Sequence, residues 1–479
     1  MEQLINRLAS VVWGPVMLAL MLGAGLYFTL RGRCLQVRHW PTIWRRTFGD
    51  MIRGGRGRSA GITPFQAVST ALASTVGTGN IVGVAAVLMA GGPGAVFWMW
   101  VSAFLGMATK YAEVVLAQTY RRPDGRGGFL GGPMYVIRDA LGRPLLAGAF
   151  AVLGMLASFG VGNMIQAGAL SQAVVELTGA SPRLVGLLAM AVAGAVVLGG
   201  ARLVARVTET LVPFMAGLYI LGALAILAVH IGRVPAALAL IVREAFRPGP
   251  AAAGAGGFLL SRALRTGLAR GVFSNEAGLG SAAIAHAAAD AKSPVEQGFW
   301  GAMEVFLDTL VICTLTALAL LSSGVYSRWQ ALVTAGALPA LAEAAGPVSA
   351  AADPNAPLAL LAFTGTLGPW GGMLLGICTT LFALATIIGW SFYGESCCRY
   401  LFPRWENRAV LCYRVVYIVA VYLGSTWSFG LLWGLSDVLN GLMAVPNLIA
   451  LFLLSGIVVK ATNSYFAEER RQGGAGRRR

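Results

Sequence analysis

Ala73-Ser-Thr-Val-Gly-Thr-Gly-Asn80 lies in the middle of an apolar run, near residues 66–90, that is long enough to cross a bilayer as a helix. Yet these eight positions hold two glycines and four polar side chains. Glycine weakens a helix, and a backbone group freed inside lipid must find another partner. Either the small residues let neighbouring helices approach closely, or the helix breaks here. A broken helix exposes N–H and C=O groups that can bind a carboxylate and a cation at mid-membrane, as the discontinuous helices of transporters do.

A second stretch has the same character. Gly271-Val-Phe-Ser-Asn-Glu-Ala-Gly-Leu-Gly-Ser281 is also mid-span and carries Glu276. A carboxylate in the membrane is costly, and it marks either function or a pinned kink. Four intact spans separate the two stretches. That is the spacing of two five-helix repeats of opposite orientation, each opening with a broken helix.

The rest of the chain supports a membrane setting. Of 479 residues, 57% are hydrophobic and 12% charged, about half the charge of an ordinary soluble domain, which is ~25%. Mean hydropathy is +0.71. This excludes a secreted domain, a cytosolic enzyme and a disordered regulator. The net charge of +16 is carried mainly by arginine. It fits cytoplasmic loops facing anionic headgroups, and no nucleic-acid partner is expected. The six cysteines show neither metal-ligand spacing nor a disulfide framework.

Eleven spans are predicted. The first, Val11 to Leu30, reads as a retained extra N-terminal helix (11–30). The others lie near 66–90, 94–119, 147–175, 184–200, 207–230, 258–289, 298–321, 371–396, 409–425 and 441–460. Residues 428–440 are apolar but short, which suits a half-helix. The first inverted repeat is placed at 66–230 and the second at 258–460, all within one transporter domain. Lys and Arg concentrate in alternate loops, which puts the N-terminus outside and the C-terminus in the cytoplasm of a plasma (inner) membrane. The basic tail 461–479 is expected to be disordered.

Other polar residues have local readings. Asn163 and Gln166 share a helix face, where they can meet a polar substrate or glue helices together. Thr379, Thr380 and Thr386 offer hydroxyl oxygens suited to Na⁺, or bond back to their own helix. Lys110 and Glu113 are spaced to pair. Glu304 and Asp308 form either a pH-sensitive gate or partners for Arg262 or Arg265. No P-loop, HExxH, GxSxG or haem-ligand pattern occurs, so an enzyme or primary pump is disfavoured. No channel filter motif is present either.

Val76-Gly-Thr-Gly-Asn-Ile-Val-Gly-Val-Ala85, Gly91-Gly-Pro-Gly-Ala-Val-Phe-Trp98, Gly106-Met-Ala-Thr-Lys-Tyr-Ala-Glu113 and Gly131-Gly-Pro-Met-Tyr135 occur in that order. Phe273-Ser-Asn-Glu-Ala-Gly-Leu-Gly-Ser281, Ile387-Ile-Gly-Trp-Ser391 and Leu442-Met-Ala-Val-Pro-Asn-Leu448 follow. Together they resemble the alanine/glycine:cation symporter family over about residues 10–465. The resemblance implies an all-α, LeuT-like fold of two inverted five-helix repeats behind one extra helix. It implies import of alanine or glycine by alternating access, driven by Na⁺ and in some members by H⁺, with co-transported Na⁺ and no other cofactor. A sensor on the same fold is the non-transporting alternative.

The resemblance also assigns residues. Gly77, Thr78, Gly79 and Asn80 hold the substrate carboxylate, Gln166 approaches from the fourth span, and Phe273, Ser274, Asn275 and Gly278 line the pocket. Na⁺ lies between the carbonyls of Ala73 and Val76 and oxygens near Thr386. The family pattern often has a serine before that threonine, and here the position is Ala385.

Overall fold

In lipid, backbone groups must bond within their own segment, so apolar stretches become helices. The computed structural model describes residues 2–49, 51, 61–125, 127–247, 262–334, 356–427 and 430–476, and it is a helical bundle. Among the described residues, seven helices are long and apolar enough to cross a membrane. These are Arg7–Arg31, Pro144–Thr178, Gly200–Val229, Pro294–Ser322, Pro369–Leu401, Pro403–Thr426 and Gly434–Leu453. The other four passages of the predicted map are two broken helices, one helix carrying buried charge, and one of 17 residues.

In chain order, α1 (Glu2–Val12) and α2 (Pro15–Arg31) form the N-terminal passage, kinked at Trp13-Gly14 before Pro15. The first repeat begins with α3 (Pro64–Thr75), a break, and α4 (Val82–Gly91). It continues through α5 (Gly94–Thr119), the short α6 (Pro133–Leu141), and α7 (Pro144–Phe159). A π-turn at Gly160–Met164 joins α7 to α8 (Ile165–Thr178). Then come α9 (Pro182–Leu198) and α10 (Gly200–Val229). Helix α11 (Val234–Ala245) follows.

The second repeat begins with α12 (Arg262–Asn275), a break, and α13 (Ser281–Ala287). Next is α14 (Pro294–Val305), which runs through a π-helical stretch Phe306–Cys313 into α15 (Thr314–Ser322). After α16 (Val325–Thr334) and α17 (Ala356–Leu367) come α18 (Pro369–Leu401), α19 (Glu406–Thr426) and α20 (Gly430–Leu453). The start of the second repeat at 258–261 lies outside the described residues.

Local chemistry sets the ends that matter. At the start of α3, Thr63 Oγ1 accepts the Gln66 N–H and Gln66 Oε1 accepts the Thr63 N–H, with Pro64 at the first helical position. This capping box fixes where the first broken helix begins.

Several expectations change. Residues 428–440 are not a separate half-helix: from Gly430 they form the first half of α20, which runs on through Pro446. The tail is not a coil. Helix α21 (Ser455–Gly476) continues through it, because Tyr465 and Phe466 pack against Phe299 and Glu469 pairs with Arg45 at 2.9 Å. Residues 477–479 lie outside the described part. Lys110 pairs across the bundle with Glu304, at 3.4 Å, instead of with Glu113. Glu113, equally buried, turns instead to the Gly278 N–H and Asn447 Nδ2. Glu304 and Asp308 likewise bond to residues other than Arg262 and Arg265.

Candidate functional site

The first break is made by two backbone donors that change partner. Val76 N–H still bonds the Leu72 carbonyl in helical fashion, at 2.8 Å. A continued helix would pair Gly77 N–H with Ala73 and Asn80 N–H with Val76. Instead, Gly77 N–H turns to Asn80 Oδ1 at 3.0 Å, and Asn80 N–H bonds the Gly77 carbonyl at 3.1 Å. The Ala73 and Val76 carbonyls thereby lose their helical partners. They are the two carbonyls that the family resemblance implies for the cation.

Thr386 comes to the same place from α18. A Cβ on Gly77 would lie 2.9 Å from Thr386 Oγ1, so glycine is what permits this approach. The Thr386 hydroxyl donates to the Phe382 carbonyl at 2.9 Å, which leaves its lone pairs for another partner. Carbonyl and hydroxyl oxygens of this kind suit a hard cation. Among the described residues, no group of three or more His, Cys, Asp or Glu side chains is placed to hold a metal ion.

Thr78 and Gln166 also meet. Thr78 Oγ1 donates to Gln166 Oε1 at 3.1 Å, and Gln166 Nε2 donates to the Val161 carbonyl within the π-turn at 3.3 Å. Asn163, by contrast, donates to the Tyr417 carbonyl at 2.7 Å and ties α19 to the π-turn. Gly79 is exposed, with no atom within 4 Å of where its Cβ would stand. The segment therefore has one wall against α18 and one open side.

Asp308 links the two breaks. Its Oδ1 accepts Asn80 Nδ2 at 2.7 Å, and its Oδ2 accepts the hydroxyls of Ser274 and Thr309, both at 2.8 Å. Asp308 is completely buried, on the π-helical stretch after α14. The sequence singled it out as an intramembrane carboxylate but did not place it with Asn80 and Ser274. Thr309 beside it was the only local sign, since Asn80 is 228 positions away.

The remaining expected residues are dispersed. Phe273 is half-buried and packs edge-on against Trp13 of the N-terminal passage, with ring centroids 5.9 Å apart. Asn275 donates to Thr309 at 3.4 Å and accepts the Ala277 N–H at 3.1 Å. The Gly278 N–H donates to Glu113 Oε1 at 2.9 Å, and its carbonyl accepts Asn447 Nδ2 at 2.9 Å. Gly278 thus engages α5 and α20, and not the 77–80 segment.

Known proteins match this chain along its whole length. Residues 1–477 match the sodium:alanine symporter family. The sodium/alanine symporter AgcS of Methanococcus maripaludis is 42% identical over 467 residues, covering 96% of each chain. The probable sodium/glutamine symporter GlnT of Bacillus subtilis is 36% identical, over 98% of this chain and 92% of its own. Two solved structures share the fold. A Na⁺-coupled sialic acid symporter in an outward-open state superposes with a TM-score of 0.55 at 15% identity, covering 93% of this chain and 87% of that one. MhsT in complex with L-phenylalanine gives 0.52 at 13% identity, covering 84% of this chain and 98% of that one. With its two broken helices and its full-length match, this multi-pass membrane protein belongs to the sodium:alanine symporter family.

Proposed function

We propose that the chain imports small neutral amino acids, alanine and glycine, by alternating access, with Na⁺ moving down its gradient in the same step. The observation that carries this reading is the release of the Ala73 and Val76 carbonyls at a turn whose Gly77 lies against the Thr386 hydroxyl. A Na⁺ there stands next to the Gly77–Asn80 turn, where the substrate carboxylate binds. Thr78 and Gln166 orient the substrate, and the open side at Gly79 admits it. Asn80 acts as a staple more than as a ligand, because both ends of its amide are engaged, with Gly77 and with Asp308. Ser274 is held by the same carboxylate. Phe273, backed by Trp13, closes the side-chain space. The N-terminus is outside and the C-terminus cytoplasmic in this reading, in an inner membrane.

Relatives differ in what their names specify. One is a sodium/alanine symporter, one a probable sodium/glutamine symporter, and one a putative sodium/proton-dependent alanine carrier. The test is uptake of labelled alanine by purified protein in proteoliposomes, with and without an inward Na⁺ gradient at equal pH. Accumulation that requires the Na⁺ gradient is the expected result. Accumulation driven by a pH gradient without Na⁺ assigns the proton as driver. Alanine binding with no accumulation under either gradient turns the protein into a sensor.

A further inference from the structure

A second polar cluster lies under the second break, and the substrate site does not use it. Lys110 and Glu113 of α5, Glu276 in the break, His286 of α13 and Glu304 of α14 are all buried, three of them with no exposure at all. Lys110 Nζ stands 3.4 Å from Glu304 Oε1, and His286 Nε2 donates to Glu304 Oε2 at 2.9 Å. His286 Nδ1 and Gln297 Nε2 lie 2.8 Å apart, on the side of the ring away from Glu304. Lys110 and His286 thus both engage Glu304, and two glutamates remain.

Glu113 Oε1 accepts the Gly278 N–H and Asn447 Nδ2, while its Oε2 is buried with no hydrogen-bond partner. Glu276 Oε2 accepts the Ser281 hydroxyl at 2.5 Å, from a residue held at a φ of +53°. The groups facing the pair make the shortage worse. Glu304 acts on both glutamates, and Asp308 adds a further negative charge toward Glu276. Lys110 is the one lysine of the cluster, and it stands at Glu304. Three glutamates face one lysine and one histidine, both engaged with Glu304; even with both cations charged, one buried negative charge is left over, an imbalance that a buried site does not sustain.

We propose that Glu113 and Glu276 form a proton-binding site that carries at least one exchangeable proton while α13 is packed in place. The site is separate from the Na⁺ position at the first break. Both glutamates hold the 276–281 segment, one through Gly278 and one through Ser281, so movement of α13 lets water in and releases the proton. The existence of the site does not depend on the transport reading; its link to the cycle does.

Infrared spectroscopy of the purified protein tests the site, at a pH where exposed carboxylates are ionised. The wild-type protein should show the carbonyl stretch of a buried, protonated carboxylic acid. The band should persist in Asp308→Asn and be lost or shifted in Glu113→Gln or Glu276→Gln; one inserted glutamine variant suffices. No band in the wild-type protein, a band lost with Asp308, or one unaltered by the glutamine substitutions overturns the proposal. In proteoliposomes, Na⁺-driven alanine uptake should depend on pH in the wild type and lose that dependence in Glu276→Gln. Absence of any wild-type uptake would defeat the transport reading, and the infrared band would then decide the site on its own.

Discussion

At the first break the chain stops its helix with neutral groups: two carbonyls, the Thr78 and Thr386 hydroxyls, and the amides of Asn80 and Gln166. One residue there, Gly79, is exposed. At the second break, which holds the matching place in the other repeat, Glu276 and its neighbours Lys110, Glu113, His286 and Glu304 are buried and ionisable. Glycines at positive φ, Gly278 and Gly280, let that backbone turn, and Glu113 and Asn447 bond it on both sides. The difference is physical. Neutral oxygens with an open side can exchange a cation and a zwitterion, because little electrostatic energy is stored when they are empty. A closed network of charges resists partial opening and moves as a unit.

Substitutions should separate the two breaks. The largest effect is expected from Gly77→Ala, whose new methyl group would lie 2.9 Å from Thr386 Oγ1. That contact is too close for a methyl group, so the turn and α18 must move apart, and alanine uptake per inserted molecule should fall further than in any other substitution to alanine here. Next, Lys110→Met strands Glu304 without its ammonium. Removing one partner of a buried pair costs ~3–5 kcal/mol, which thermal unfolding of the solubilised protein should register as a markedly lower midpoint. Thr386→Ala removes one oxygen from the cation position and little packing. The Na⁺ concentration for half-maximal uptake should rise roughly tenfold, about 1.4 kcal/mol, with stability nearly unchanged. The smallest effect belongs to Gly79→Ala, which meets no atom within 4 Å. Its stability should stay within about 0.5 kcal/mol of wild type, whereas Gly79→Leu fills the opening and stops uptake.

The sequence made the helical architecture readable because hydropathy and glycine placement are local signals. The breaks at 73–80 and 271–281 stand where their glycines and polar residues indicated. What stayed hidden was pairing across the bundle. Lys110 with Glu113 satisfies the helical spacing rule, but Glu304, far away in sequence, takes the lysine. Asp308 with Asn80 and Ser274 is invisible for the same reason. Residues 428–440 misled because Pro446 and the polar Ser436, Asp437 and Asn440 interrupt a helix that packing sustains. The tail misled because its composition is solvated, while two aromatic rings and the pairing of Glu469 with Arg45 and Arg46 dock it.

The most direct measurement is equilibrium binding of labelled alanine to purified wild-type protein and to Gly77→Ala, each with and without Na⁺. If substrate and cation meet at the first break, the wild type binds alanine only with Na⁺, and the variant, although inserted and folded, loses both the binding and its Na⁺ dependence. Wild-type binding by Gly77→Ala, with an unchanged Na⁺ requirement, would place the site elsewhere and contradict the assignment.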